Sequence, residues 1–413
     1  MVRSFLSVGG LTLGSRVLGF LRDVLMARFL GAGLAADAFV IAFKLPNLFR
    51  RLFAEGAFSA AFVPLFAERL GEIPTSESRA SARDFAEQAL SILLPVLIAL
   101  TAVAEIATPW IILALTGGFH SDDPAKTALA VDLTRLTFPY LLTISLVALL
   151  GGVLNGLGRY AAFAAAPILL NVVMIAALLS VHHSPAHTAR ALAVALSLAG
   201  VVQLVFVAVA ARRAGFALRL RRPRLSPPVR RLLSTMAPVV VGAGVMQINL
   251  LVDVVLASRY LPEGALSFLY YADRLNQLPL GVIGIAVGTV LLPTITRALS
   301  NGDEALGLDR LNRGLEFALF LTVPAALALA LVPETLLRPI YQSGAFTAAD
   351  TRATALALTA YAAGLPAYVL VKVLTPAFYA RQDTRTPVTV SMLAVGVNLV
   401  LNLLLIGPLA HAG

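Results

Sequence analysis

Apolar residues run through this chain in long blocks separated by short polar stretches, and the blocks have the length that crosses a bilayer. A span needs about 20 mostly apolar residues. Eleven blocks qualify, centred near residues 17, 50, 101, 145, 171, 200, 245, 282, 325, 366 and 398. Each reads as a helix, because in hydrocarbon every backbone N–H and C=O must be satisfied within its own segment. The longest connections are 67–87, 211–231 and 297–313. The pattern predicts an all-α polytopic membrane protein. Composition agrees: 59% of residues are hydrophobic and only 13% charged, about half the soluble norm of roughly 25%, with a mean hydropathy of +0.86. Cys is absent, which excludes disulfides, thiolate metal sites and a Cys nucleophile. Arg16 and Arg22 interrupt the first apolar stretch, and no small-residue cleavage site follows, so no cleavable signal peptide is expected.

The distribution of Lys and Arg predicts the orientation. The even-numbered loops hold 17, against two, Lys126 and Arg259, in the odd-numbered loops. Arg190, Arg338 and Arg352 lie just outside those loop bounds and soften the contrast. The bias puts the N-terminus and the even loops in the cytoplasm. A net charge of +10 is therefore read as topology plus an anionic substrate rather than as a nucleic-acid surface, and no nucleic-acid partner is expected.

The two halves repeat. RDVLMARFLGAGLAADAFVIAFKLPN from Arg22 resembles VDVVLASRYLPEGALSFLYYADRLNQ from Val252. Asp23 falls on Asp253, Lys44 on Arg274 and Pro64 near Pro293, all about 230 residues apart; Pro139 and Asn171 fall on Pro366 and Asn398, 227 apart. A period of six spans returns the chain to the same side, so the repeats are parallel. The expected organisation is an N-terminal lobe over 1–210 with spans 1–6, a basic cytoplasmic linker over 211–231, and a C-terminal lobe over 232–413 with spans 7–11. Two parallel six-helix lobes would surround a central cavity, the second truncated at its C-terminus.

Charges inside the apolar blocks mark the candidate site. An ionised group at the centre of a membrane helix costs about 2.5–3.5 kcal/mol on insertion scales. In the second span Lys44, Asn47, Arg51, Glu55 and Ser59 follow steps of three and four along one helix face. Asp37 lies seven residues before Lys44 on the same stripe, and Arg50 sits beside it. In the first span Arg16 and Asp23 are two turns apart on one face. Arg22 points elsewhere and needs either a kink at Gly19 or a second partner helix. Asp273 and Arg274 interrupt the eighth span. Counting Arg16, Arg22, Lys44, Arg50, Arg51 and Arg274 against Asp23, Asp37, Glu55 and Asp273 leaves two positive charges over. Surplus cations in a hydrated chamber suit an anion, and guanidinium groups match phosphate oxygens in bidentate geometry.

The competing reading of such charges is internal salt bridges that lock helices together, and it is preferred for Asp132 with Arg135. Gly152 and Gly156 form a GxxxG read as close helix packing. His182, His183 and His187 cluster in an outer loop without a nearby carboxylate, and a solvated loop is preferred to a metal site. Asp253 and Asp383 suit structural pairing better than a coupling-cation site. No GxxxxGK[ST], HExxH or GxSxG occurs, so no nucleotide motor and no catalytic residues are assigned.

SRVLGFLRD at Ser15–Asp23 and ADAFVIAFKLPNLFRRLFAEGAFSAAFVP at Ala36–Pro64 resemble the N-terminal signature of the bacterial MurJ/MviN lipid II flippase family. YYADRLNQLPLGVIGIAVGTVLLP at Tyr270–Pro293 resembles that family's eighth span. The resemblance runs from the first span to the last residue. It implies a fourteen-span fold of the multidrug/oligosaccharidyl-lipid/polysaccharide exporter superfamily, of which this chain would lack roughly the last three spans. It further implies that Arg16, Arg22, Arg50 and Arg274 line the central cavity and hold the diphosphate and sugar headgroup, and that Asp37 and Glu55 are needed. The implied activity is transport of lipid II across the cytoplasmic membrane by alternating access, for peptidoglycan synthesis. The protein would be a non-enzymatic monomer in the bilayer, without cofactor apart from a coupling cation such as Na+. Gln277 stands where some relatives carry Glu, which removes a charge partner for Arg274. A flippase for another polyprenyl-diphosphate-linked oligosaccharide and a multidrug antiporter of the same superfamily are the alternatives.

Overall fold

The computed structural model describes residues 2–409 except 51–57, 121–123, 182, 183, 301, 302, 382 and 384. Among the described residues all regular structure is helical: α1 (Val2–Leu30), α2 (Leu34–Phe49), α3 (Ser59–Leu70), α4 (Ser76–His120), α5 (Pro124–Thr137), α6 (Pro139–Gly156), α7 (Ala161–Ser180), α8 (Pro185–Arg213), α9 (Pro227–Tyr260), α10 (Ala265–Ser300), α11 (Glu304–Leu331), α12 (Pro333–Tyr341), α13 (Ala348–Ala380) and α14 (Arg385–Leu409). Among the described residues seven segments are long and apolar enough to cross a membrane: α4, α5 joined to α6, α7, α8, α11, α13 and α14. Val96, Ile98, Val103, Ile106 and Trp110 all point outward from α4. A continuous apolar face of this kind requires hydrocarbon around it. The chain is a multi-pass membrane protein.

Several boundaries differ from those the hydropathy pattern predicts, each for a local reason. The second span, expected as one helix, is described as α2 and α3. Arg50 and Phe58, flanking the undescribed residues between them, have wide π-type backbone hydrogen bonding. The fourth span is interrupted at Phe138, between α5 and α6, because Pro139 has no N–H to give and its ring crowds the carbonyl four residues back. The Leu141 amide instead bonds the Phe138 carbonyl at 2.9 Å. Much of the expected loop 67–87 is the first part of α4. Thr75 and Ser78 cap that start reciprocally, each amide bonding the other's hydroxyl at 2.9 and 3.1 Å. Residues 297–313, also expected as a loop, hold the end of α10 and the start of α11. The Asp303 carboxylate caps α11 by accepting from the Leu306 amide at 2.8 Å. Helix α12 was not foreseen; Pro333 opens it and Leu337 and Tyr341 are buried.

By packing, the chain divides into two compact units. One comprises Met1–Leu30 with Leu34–Val255; the other comprises Gly31–Gly33 with Leu256–Gly413. The division falls inside α9, beyond the basic segment 211–231.

In the first unit α1 packs on α7, α7 and α6 on α8, α2 on α5, and α3 on α6 and α4. Its core is an aromatic stack. Phe62 meets Phe58, Phe66 and Phe85 at centroid distances of 5.0, 5.7 and 5.3 Å, and Phe66 meets Phe216 edge-on at 5.7 Å. The GxxxG of α6 makes room for those rings. A Cβ on Gly152 would lie 2.8 Å from the Phe62 ring, and one on Gly156 2.5 Å from Phe66.

In the second unit α10, α11 and α13 form a packed trio, with α12 on α13. Tyr271, Tyr341 and Phe346 cluster at centroid distances of 5.2 to 5.9 Å. Gly31 belongs to this cluster: its carbonyl accepts from the Tyr271 hydroxyl at 3.2 Å. Its φ is +67°, and a Cβ there would lie 2.6 Å from the Ala345 carbonyl oxygen. Both observations demand glycine. Asp383 caps α14. Its carboxylate accepts from the Thr386 hydroxyl at 2.6 Å and from the Thr386 and Arg385 amides at 3.0 Å. Those bonds, the hydroxyl's foremost, hold it below the usual carboxylate range. The cap is therefore present above about pH 4 and lost as pH falls through the lowered value.

Gly156→Ala should destabilise the protein by about 1–3 kcal/mol, because the buried Phe66 ring has nowhere to retreat. Gly396→Ala, at a position with open space around it, should be neutral or stabilising by up to about 1 kcal/mol. Thermal unfolding midpoints in detergent check both; equal midpoints for the two variants would contradict the packing.

Candidate functional site

Along α1 the first buried residue among those whose burial is described is Arg22, and this separates two groups that the helical wheel places on one face. Arg16 is exposed, while Asp23 is buried at 2% exposure. Arg22, at 5% exposure, is buried beside it. Residues i and i+1 do not face each other on a helix, so the Arg22 side chain turns back along α1. Its Nε and Nη2 both reach Asp23 Oδ1, at 3.1 and 2.7 Å. The second partner helix that Arg22 needs is α7. Nη1 donates to Asn171 Oδ1 at 3.0 Å, and Asn171 Nδ2 donates to the Ser15 carbonyl at 3.0 Å. Gly19 packs beside Asn171: a Cβ there would sit 3.6 Å from its amide nitrogen, an ordinary contact distance. Phe43 of α2 closes the group, its ring centroid 5.4 Å from the guanidinium carbon. Arg22, Asp23 and Asn171 thus form a buried polar cluster that ties α1 to α7.

Asp37, expected on the stripe with Lys44, instead faces α5. It is 2% exposed and accepts from Lys126 Nζ at 3.3 Å, and Lys126 is itself only 8% exposed. Lys126 reads in the sequence as an outer-loop lysine; the structure places it at the first turn of α5, against a carboxylate. Thr137 adds a second tie by donating to the Ala42 carbonyl at 2.9 Å. Further along α2, Lys44 is exposed and Asn47 and Arg50 are half-buried. Asn47 donates to the Phe43 carbonyl at 2.7 Å and accepts from Arg50 Nε at 3.1 Å. Arg51 and Glu55 lie outside the described residues.

In the second unit, Asp273 and Arg274 are half-buried on α10. Arg274 lies over the Tyr270 ring at 4.8 Å and donates to its hydroxyl at 3.1 Å. Gln277 donates to Asp273 one turn back, so the residue that replaces a possible partner of Arg274 serves Asp273 instead.

Other expectations resolve as structure. Asp132 does not pair with Arg135: it takes Arg190 of α8 at 2.6 Å, and Arg135 donates to the Glu105 carbonyl at 3.3 Å. A partner on another helix ties two elements together, whereas one a turn away on its own helix cannot. His182 and His183 lie outside the described residues, and His187 Nδ1 meets the Ser184 hydroxyl at 2.8 Å. No metal-holding group of His, Asp or Glu occurs among the described residues.

A family model described as "Lipid II flippase MurJ" matches residues 26–413. This chain belongs to the MurJ family. A Rhizobium tropici protein named "Probable lipid II flippase MurJ" is 45% identical over 416 residues, covering 100% of this chain and 77% of the relative. A solved MurJ structure, "Lipid II flippase MurJ, inward closed conformation", aligns with a TM-score of 0.80 at 27% identity, over 98% of this chain and 83% of that one. An inward-facing multidrug transporter of the MATE family shares the fold, with a TM-score of 0.70 over 95% of each chain, but at 15% identity.

Arg22→Ala would leave the Asp23 carboxylate buried without its cation. It should destabilise the protein by about 3–5 kcal/mol. Arg22→Met combined with Asp23→Asn should recover most of that loss. Arg16→Ala should move the unfolding midpoint little. Thermal unfolding in detergent tests all three, and equal losses for Arg16→Ala and Arg22→Ala would contradict the assignment.

Proposed function

We propose that this protein moves lipid II from the inner to the outer leaflet of the bacterial cytoplasmic membrane, by alternating access and with its N-terminus in the cytoplasm. Membership of the MurJ family over nearly the whole chain is the observation that carries this reading. The substrate is an anionic diphosphate attached to an apolar tail. Its headgroup needs cations in a hydrated, protein-lined chamber, while its tail stays in the bilayer.

The charges of the first unit support a division of labour. Arg22 and Asp37 are each held in a buried pair and act as positioning residues for α1 and α2. Arg16 and Lys44 are exposed and Arg50 is half-buried; these are the cations we assign to the diphosphate. In the second unit, Arg274, which lies over Tyr270, is assigned to substrate binding. The interruption at Phe138–Pro139 and the π-type backbone at Arg50 and Phe58 are the places where these helices can flex as access alternates. The protein would act as a monomer and without covalent catalysis. The relation to the multidrug transporter is one of fold alone.

The test is transport of fluorescent lipid II in proteoliposomes, read as loss of dye quenching by an impermeant reductant. Arg16→Ala and Arg50→Ala should each slow transport at least ~10-fold, the loss of one charge-assisted contact, with unfolding midpoints unchanged. Wild-type rates in both variants would reject the assigned roles, and absence of lipid II movement by the unsubstituted protein would reject the function.

A further inference from the structure

The end of the first unit that carries the segment between α8 and α9 holds a second cationic site. The chain leaves α8 at Arg213 and runs without regular structure to Pro227. It is pinned along α4. Arg221 clamps both Asp84 and Glu87, the latter at 2.6 Å. The Arg219 amide donates to Glu87 Oε1 at 3.2 Å and the Arg221 amide to the Ser91 hydroxyl at 2.8 Å. Arg83 donates to the Gly215 carbonyl and stacks on Phe216, 5.5 Å from its centroid. Between this segment, α4 and the end of α8 lies a cavity of about 540 Å³ lined by Arg83, Glu87, Arg212, Arg219, Leu220 and Arg221.

The charges here are divided as in the transmembrane part. The carboxylates are used: Glu87, almost wholly buried, and Asp84 both serve Arg221. The Arg212 and Arg219 side chains have no ion-pair or hydrogen-bond partner among the described residues, and both are exposed. Two uncommitted guanidinium groups in a concave pocket match the oxygens of one phosphodiester. Leu220 is 62% exposed at the same rim and Leu225, a few residues on, is 58% exposed. Bare leucines next to arginines suit the boundary between headgroups and acyl chains, where the apolar side chain enters the bilayer and the cation stays at phosphate depth.

We infer that this cavity binds the phosphate of an anionic glycerophospholipid, of the phosphatidylglycerol type, as a resident lipid distinct from the transported substrate. The bound headgroup joins the end of α8, the start of α4 and the segment that leads into α9. The inference stands independently of the transport reading, because it uses none of the residues assigned to the diphosphate.

The test is native mass spectrometry of the full chain released from nanodiscs of phosphatidylcholine with increasing phosphatidylglycerol. The unsubstituted protein should retain one phosphatidylglycerol in preference to phosphatidylcholine. Arg212→Gln with Arg219→Gln should weaken that retention roughly 10- to 30-fold. Arg222→Gln with Arg224→Gln, the same charge loss outside the cavity lining, should change it less than about twofold. Arg212→Lys with Arg219→Lys should keep part of the binding if it needs charge and lose the rest if it needs the planar fork. Inorganic phosphate and glycerol 3-phosphate at millimolar concentration should compete weakly, because neither brings an acyl chain. Equal retention of the two lipids, or equal losses in the two Gln pairs, would overturn the proposal. Full displacement by inorganic phosphate would overturn the lipid and leave a free anion as occupant. Unfolding midpoints within a degree or two of the parent establish that each variant is folded.

Discussion

A charge removed from water must find a counter-charge or keep a path to water, and that requirement organises the first unit of this protein. Arg22 satisfies it with Asp23 and Asn171, all three nearly inaccessible. Asp37 satisfies it with Lys126. The Arg22–Asp23 pair of α1 reaches α7 through Asn171, and the Asp37–Lys126 pair joins α2 to α5, so electrostatic satisfaction also fixes helix positions. Breaking such a pair leaves an uncompensated charge in a medium of low polarity, which is far worse than never having had the pair. Arg16 and Lys44 stand on the same two helices but remain exposed. On the function proposed above, that contrast would separate cations that hold the scaffold from cations that meet the cargo.

Close packing sets the second constraint. Helices without a strong hydrophobic drive toward each other need small residues or shape-matched rings. Gly152 and Gly156 let α3's phenylalanines lie against α6, and the same rings meet Phe85 of α4 through Phe62 and Phe216 beyond α8 through Phe66. The aromatic stack therefore runs from a membrane helix to the basic segment, where Arg221 bonds Asp84 and Glu87 of the same α4. A helix that begins well before the apolar block serves both ends of this arrangement.

Much of this was legible in the sequence. Long apolar blocks give membrane helices, the GxxxG gives a close contact, and the signature around Ser15–Asp23 and Ala36–Pro64 gives the family. From the 100° step between Arg22 and Asp23 it followed that Arg22 needs either a kink at Gly19 or a second partner helix. That the helix is α7 and the partner Asn171 could not follow from periodicity, although an Asn in the middle of an otherwise apolar block was the available signal. Wheel geometry put Asp37 on the Lys44 stripe but could not reveal its burial against Lys126, because a stripe records direction around one helix and says nothing of which neighbour covers it. Lys126 was hidden for the converse reason: a lysine near a loop reads as solvated until a buried carboxylate is found opposite. Hydropathy averaging also blurred α4 and α12, whose starts are set by a Thr75–Ser78 cap and by Pro333, short-range signals that a long window removes.

The division between scaffold charges and cargo charges can be measured directly, because the sequence contains no Cys. A thiol introduced at one position reacts with a charged methanethiosulfonate only where water reaches it. Arg16→Cys and Lys44→Cys should be modified at rates typical of hydrated sites and be protected by bound lipid II. Val103→Cys, equally bare but on the apolar face of α4, should react at least ~100-fold more slowly, since a thiol in hydrocarbon does not ionise. If Arg16→Cys is as unreactive as Val103→Cys, that arginine faces acyl chains and the account is wrong.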